Sequence, residues 1–156
     1  MEFNLADMLE SVVDVHPDRE CLVVGDDRLT FAQFDARANQ LAHYVRSIGV
    51  QPGNHVGVQL YNGVEYLQTA MACMKIRAVP VNVNYRYVDH ELTHLYTDAD
   101  LVAVVVDTEF LERAVNVASQ LELIKKVIVV GDLNGQRLPD NGITFADAVE
   151  GQPTTR

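Results

Sequence analysis

The sharpest chemical pattern in the sequence is His90-Glu91-Leu92-Thr93-His94, an HExxH arrangement. On a helix it would bring two imidazoles onto one face as zinc ligands, with the glutamate as general base. Helical geometry opposes that chemistry. With His90 at the origin and ~100° per residue, Val88, Leu92, Leu95 and Tyr96 fall between about 140° and 240°, and His94 falls near 40°. The histidines therefore take the face opposite the apolar stripe, which in a layered domain is the solvated face. No third ligand follows at a fixed spacing. Glu109, Glu112 and Glu122 are the candidates for a third ligand. A solvated helix is the expected reading, with a zinc hydrolase as a remote alternative.

A second stretch, Met74 to Tyr87, carries polar groups out of a short apolar strand: Val79-Pro80-Val81 leads into Asn82, Asn84, Tyr85, Arg86 and Tyr87. Groups just after a buried strand sit where open α/β sheets place ligands. They could floor an active site, or they could satisfy the strand-end backbone, and the second role is expected here. Cys73 lies in an apolar helical stretch and reads as packing. Arg113, soon after an apolar strand, could meet an anion, but a solvated helix position is the better reading. The glycines form no GxGxxG or GxxxxGK[ST] loop, and no GxSxG elbow is present.

The elements that would position these residues follow from pattern. Asn4 and Asp7 open a helix whose apolar face is Leu5, Met8, Leu9, Val12 and Val13, and which Pro17 ends. Cys21–Val24 and Arg28–Thr30 form a small antiparallel ribbon across Gly25-Asp26-Asp27. Thr30 and Gln33 make a capping box for a helix with Phe34, Ala38, Leu41, Val45 and Ile48 on one face, stopped by Gly49. A strand over His55–Leu60 follows. Asn62 and Glu65 repeat the cap signal for a helix through Val64, Leu67, Met71 and Met74. After Tyr87 come a helix near Asp89–Asp98, the apolar run Leu101–Val106 expected of a doubly buried parallel strand, a helix through Phe110–Leu121, and a strand over Val127–Val130. Alternation of strand and helix implies an α/β fold: an open, mostly parallel sheet with helices on both faces, plus the ribbon near the N-terminus. Residues 1–131 are expected to form the α/β subdomain. Residues 132–156 are expected to form an extended tail with one helical turn at Phe145–Val149.

Composition narrows the partners. The 156 residues suit one domain, and 48% hydrophobic with 22% charged residues is ordinary for a globular protein. The balance of 12 Lys+Arg against 22 Asp+Glu, a net charge of -10, disfavours nucleic acid and anionic lipid. The two cysteines form no CxxC pair, which suits a reducing cytosol. The amino terminus lacks a basic n-region and an h-region, and no apolar run approaches the ~20 residues of a membrane span. A cytoplasmic protein without a transmembrane segment is expected.

Taken in order, a set of landmarks resembles the acyl-CoA synthetases of the adenylate-forming (AMP-binding) superfamily. They are His16-Pro17-Asp18-Arg19, Leu29-Thr30-Phe31-Ala32-Gln33-Phe34, Ala38-Asn39-Gln40-Leu41-Ala42, Ile48-Gly49-Val50-Gln51-Pro52-Gly53-Asn54-His55-Val56, Tyr61-Asn62-Gly63-Val64-Glu65-Tyr66, Lys75-Ile76-Arg77-Ala78-Val79-Pro80-Val81-Asn82, and Asn84-Tyr85-Arg86-Tyr87 with Glu91-Leu92. Each piece is weak alone, and the ordered set is specific. Two departures stand out: Arg77 replaces the family's usual glycine, and Asn54 its usual aspartate. The resemblance implies a two-step reaction in the parent enzyme. A carboxylate attacks the α-phosphate of Mg·ATP to give an acyl-adenylate and pyrophosphate, and CoA then displaces AMP. It implies ATP, Mg and CoA for the full-length enzyme and none bound by this chain. The family's Ser/Thr/Gly-rich phosphate loop is absent from residues 1–156, so no catalytic, cofactor-binding or metal residue is assigned. The chain thus reads as the N-terminal scaffold part of a fatty-acyl-CoA ligase, inactive alone. Its partners are then the remainder of its own enzyme, with self-association through exposed apolar surface. The alternative is a stand-alone α/β binding module.

Overall fold

The computed structural model describes residues 4–156. Helix α1 (Leu5–Val15) opens with Asn4, whose Oδ1 accepts from Ala6 N (2.7 Å) and Asp7 N (3.1 Å), while Asp7 Oδ2 accepts from Asn4 N (2.8 Å). That reciprocal arrangement satisfies donors that a helix start leaves open. Strands β1 (Glu20–Val24) and β2 (Asp27–Thr30) pair antiparallel as the expected ribbon. Thr30 and Gln33 then form the second reciprocal cap, on α2 (Phe31–Ser47).

The rest is a five-stranded parallel sheet in the order β4-β3-β5-β6-β7. Its strands are β3 (His55–Gln59), β4 (Val79–Asn82), β5 (Leu101–Asp107), β6 (Lys126–Val130) and β7 (Gly142–Thr144). The connecting helices are α3 (Val64–Lys75), α4 (Asp89–Asp98) and α5 (Leu111–Ala118), with α6 (Phe145–Val149) after β7. A 3-10 turn over Thr108–Phe110 precedes α5.

Side-chain alternation divides the core into two layers. On one face Val56, Val58, Ala103 and Val105 pack against Leu41, Val45, Ala72 and Cys73 of α2 and α3, and against Ala148 of α6. On the other, Leu101, Val104 and Val106 pack against Leu92 and Tyr96 of α4 and Leu111, Ala114 and Val117 of α5. Gly57 permits this second layer. A Cβ there would lie 2.8 Å from Leu101 Cδ1 and 3.4 Å from Val83 Cγ2, so any side chain would push β3 off the packed leucine.

Four expectations need correction. The Val79-Pro80-Val81 strand is at the sheet edge, not buried: Val79 is 43% exposed. Val79 and Val83 N–H donate to Asn54 and Val58 O (2.8 and 2.9 Å), so Pro80, lacking N–H, faces outward in the alternate register. Asn62 does not cap α3. Gly63 holds the cap position with no side-chain bond, and Asn62 stays exposed before it. The helix expected from Phe110 to Leu121 is shorter, begins as a 3-10 turn and ends at Ala118. Finally, residues 142–149, expected in an extended tail, contain β7 as well as the helical turn, and β7 pairs with β6 as the fifth strand.

Candidate functional site

The strand order reverses between β3 and β5. From β3 the chain moves outward to β4, then returns past β3 to place β5 on its other side. Such a switch point opens a crevice at the carboxyl ends of the strands, where α/β proteins usually bind ligands. Here three aromatic rings cluster after the ends of β3, β4 and β5. Tyr61, after β3, lies 4.9 Å from Tyr85 and 5.1 Å from Phe110 between ring centroids, and Tyr85 stacks on Phe110 at 5.7 Å. These offset and edge-on geometries are the favourable ones for aromatic quadrupoles. Arg86 lies over the Tyr85 ring, 5.4 Å from its centroid. The Tyr61 hydroxyl donates to Glu109 Oε1 (3.2 Å). Desolvation against its neighbours, then the Glu109 acceptor and charge, push the Tyr61 phenol above its ordinary pKa.

Beside the rings is an open pocket of about 450 Å3, bounded by Tyr85, Phe110, Arg113 and the carboxylates Asp89, Glu109 and Glu112. Arg113 is exposed, as expected, but it is engaged. Its Nη1 donates to Tyr87 O (2.9 Å) and its Nε lies 3.5 Å from Asp89 Oδ1. Three carboxylates around one occupied guanidinium repel a polyphosphate rather than hold it. Among the described residues no group of three His, Cys, Asp or Glu could hold a metal ion. The lining of this pocket therefore does not fit Mg·ATP, and no chemical step is assigned through it here.

The polar run of the Met74–Tyr87 stretch serves the backbone locally. Asn82 Oδ1 accepts from the Tyr66 hydroxyl (3.3 Å), and Asn84 Oδ1 accepts from Arg86 N (2.9 Å). Beneath them lies a residue that sequence reasoning missed. Gln59, wholly buried at the end of β3, accepts from the Tyr96 hydroxyl (3.1 Å), while its Nε2 meets no acceptor among the described residues. Burial raises the Tyr96 pKa.

The HExxH residues are not brought together as a site. His90 and His94 are exposed, whereas Leu92 and Tyr96 are buried on the opposite face. Glu91 Oε2 accepts from Val88 N (2.9 Å), so the would-be general base closes its own helix start. Cys73 is fully buried, and desolvation pushes its thiol up to about 12, which keeps it protonated and inert.

At the opposite end of the sheet, the stretch begins in a buried ionic network. Lys75 Nζ, on a side chain 6% exposed, bonds Asp35 Oδ1 (2.6 Å) and Glu10 Oε1 (2.5 Å). Arg77, the departure from glycine, adopts φ +62° just past α3. Its N–H donates to Met74 O and the next N–H to Cys73 O, the helix-ending geometry in which glycine is usual. Arg77 accepts the left-handed backbone and gains only an exposed ion pair with Asp7 at 3.6 Å. Asn54, the other departure, accepts from Gln51 N (2.9 Å) and so holds its turn without a carboxylate.

Fold and sequence converge on one class: the AMP-binding enzyme family matches residues 9–153, and the chain belongs to it. Among relatives, it is 40% identical over 132 residues to a 3-oxocholest-4-en-26-oate–CoA ligase of Rhodococcus rhodochrous, covering 85% of this chain and 24% of that protein. It is 37% identical over 147 residues to a medium/long-chain-fatty-acid–CoA/3-oxocholest-4-en-26-oate–CoA ligase of Mycobacterium tuberculosis, covering 94% of this chain and 27% of that one. The crystal structure of the anthranilate CoA ligase AuaEII in complex with anthranoyl-AMP superposes with a TM-score of 0.90 at 25% identity, over 99% of this chain and 29% of that one. The chain thus spans about a quarter of the length of the curated relatives it matches. No helix among the described residues is long and apolar enough to cross a membrane.

Proposed function

We propose that this chain is the N-terminal scaffold part of an ATP-dependent fatty-acyl-CoA ligase, which converts a carboxylate, ATP and CoA into acyl-CoA, AMP and pyrophosphate. The observation that carries the reading is the continuous family match over residues 9–153, together with relatives named as CoA ligases of which the chain spans about a quarter. The α/β layer runs through β7 and α6, and the strip after them leads towards the phosphate-binding loop of the complete enzyme. ATP, Mg and CoA are bound by the complete enzyme, outside the residues described here. The chain alone is inactive, a reading supported by the carboxylate-lined pocket and its engaged arginine. The acid is an apolar one, of medium or long chain or sterol-derived, as the relatives' names suggest.

The test is carboxylate-dependent exchange of labelled pyrophosphate into ATP, across acids from short fatty acids to a sterol acid. The full reading frame should catalyse exchange and this chain should not; exchange by the chain alone refutes the scaffold reading. Self-association of the isolated chain is part of the same reading. Leu5, Met8, Val12 and Leu67 are exposed along a groove of about 490 Å3 between α1, α3 and the ribbon, and such apolar surface seldom stays solvated. A clean dilute monomer in light scattering would count against it.

A further inference from the structure

Residues 152–156 have no regular secondary structure, yet the helical layer grips them at successive positions. Asn39 Nδ2, buried on α2, donates to Thr154 O (2.7 Å) and to Asp35 Oδ2 (3.2 Å). His43 Nε2 lies 2.8 Å from Thr155 O, and so carries the proton of that bond. Arg156 then reaches back over α1. Its Nη2 lies 2.9 Å from Asp14 Oδ1 and donates to Glu10 O (3.3 Å), and its Nε lies 3.4 Å from Asp35 Oδ2. Asp35 thus joins two cations, Lys75 from α3 and Arg156 from the terminal strip.

We propose that Asp35, Lys75 and Arg156 are positioning residues: they form a clamp that fixes where, and in which direction, the chain leaves the helical layer for the segment that follows in the parent enzyme. This rests on the reading of the chain as part of a longer ligase. The chemistry favours orientation over stability. A buried ion pair contributes little net stability after desolvation, but it tolerates few geometries. With Glu10 and Asp14 of α1, Asp35 of α2, Lys75 of α3 and Arg156 of the strip, the ionic partners join three helices and the strip, so few relative placements satisfy all of them. The strip is held through its carbonyls at Thr154 and Thr155, and through a side chain only at Arg156. Arg156 is therefore the residue whose loss releases direction without emptying the core. A loop that must meet a phosphate depends on its approach, since a shift of about 1 Å can cost up to ~100-fold in rate.

The experiment uses the full-length protein with Arg156→Gln, Arg156→Lys, Asp35→Asn and, as control, the exposed Arg137→Gln. Three readouts are taken: pyrophosphate exchange, thermal unfolding, and amide hydrogen exchange. Arg156→Gln should lower kcat about tenfold, leave KM for the carboxylic acid unchanged and barely move the melting temperature. Arg156→Lys should recover part of the rate, and Arg137→Gln should match the wild type. Hydrogen exchange after residue 150 should accelerate about tenfold in Arg156→Gln, with α2 unchanged, whatever the catalytic outcome. Wild-type kcat in Arg156→Gln, a loss that only tracks the folded fraction, or unchanged protection after residue 150 overturns the clamp. If Asp35→Asn fails to fold, the surface variant Arg156→Gln still decides. Absence of exchange in the wild type with every acid would instead overturn the ligase reading, leaving hydrogen exchange to judge the clamp.

Discussion

The two ends of the parallel sheet solve opposite problems. At the carboxyl edge, three aromatic rings lie over the switch-point crevice, one arginine is engaged by backbone and carboxylate, and the neighbouring pocket stays open. At the opposite end, Lys75 is 6% exposed and both its carboxylate partners lie within hydrogen-bond distance. The first is a partly exposed aromatic surface. The second is a charge network centred on one buried cation, Lys75, shared by two carboxylates. Ligand sites in this fold class belong at the carboxyl edge, yet the more demanding polar structure lies at the other end. Polar density alone is therefore a poor guide to where a ligand binds.

The comparison can be broken most sharply at Lys75. Lys75→Met removes the cation but leaves the Asp35 carboxylate, 8% exposed, in place. It should destabilise the chain by about 3 kcal/mol or more in urea unfolding, and a loss under 1 kcal/mol would show that Asp35 is solvated or rescued by Arg156. At the other edge, Phe110→Ala should cost less, about 1–2 kcal/mol, because the ring is only half-buried and its stacking adds about 1 kcal/mol. The same variant should sharpen the tyrosine signals of Tyr61 and Tyr85 in NMR as their neighbour is lost; unchanged ring shifts would mean that the trio is not formed in solution. The smallest effect is expected at Arg77→Gly. Relief of the positive φ should outweigh the exposed pair with Asp7, giving a gain of about 0.5 kcal/mol. A measurable loss would mean that the Asp7 contact matters more than its 3.6 Å separation suggests.

Legibility in the sequence tracked how local each feature was. The caps at Asn4–Asp7 and Thr30–Gln33 are formed within four residues, and both were readable before any coordinates. The run Leu101–Val106 announced a strand covered on both faces, and the wheel through Leu92 and Tyr96 placed the histidines in solvent. The edge position of Val79-Pro80-Val81 was not readable from three apolar residues, because neighbours in the sheet decide it. Strand β7 was missed for the same reason: Gly142-Ile143-Thr144 has no strand pattern, and pairing with β6 creates it. At α3 two cap signals competed, and the glycine at 63 displaced Asn62. The clamp was invisible because its members are 40, 65 and 121 residues apart. The Arg77 departure was visible as a substitution, but only the backbone angle explains why glycine is the usual residue there. The ordered family landmarks were legible throughout, since order and spacing survive where single residues do not.

The grip on Arg156 also has a consequence for how the chain comes together. Its contact with Glu10 joins residues 146 apart, so it closes nearly the longest loop the chain allows. Contacts of such separation form late, after shorter-range pairings have already restricted the chain. During synthesis, α1 and α2 emerge ahead of both cations: Lys75 reaches Glu10 and Asp35 first, and Arg156 adds Asp14 much later. Ribosome-bound chains arrested between Lys75 and Arg156 should therefore hold Asp35 paired while Asp14 still lacks its cation.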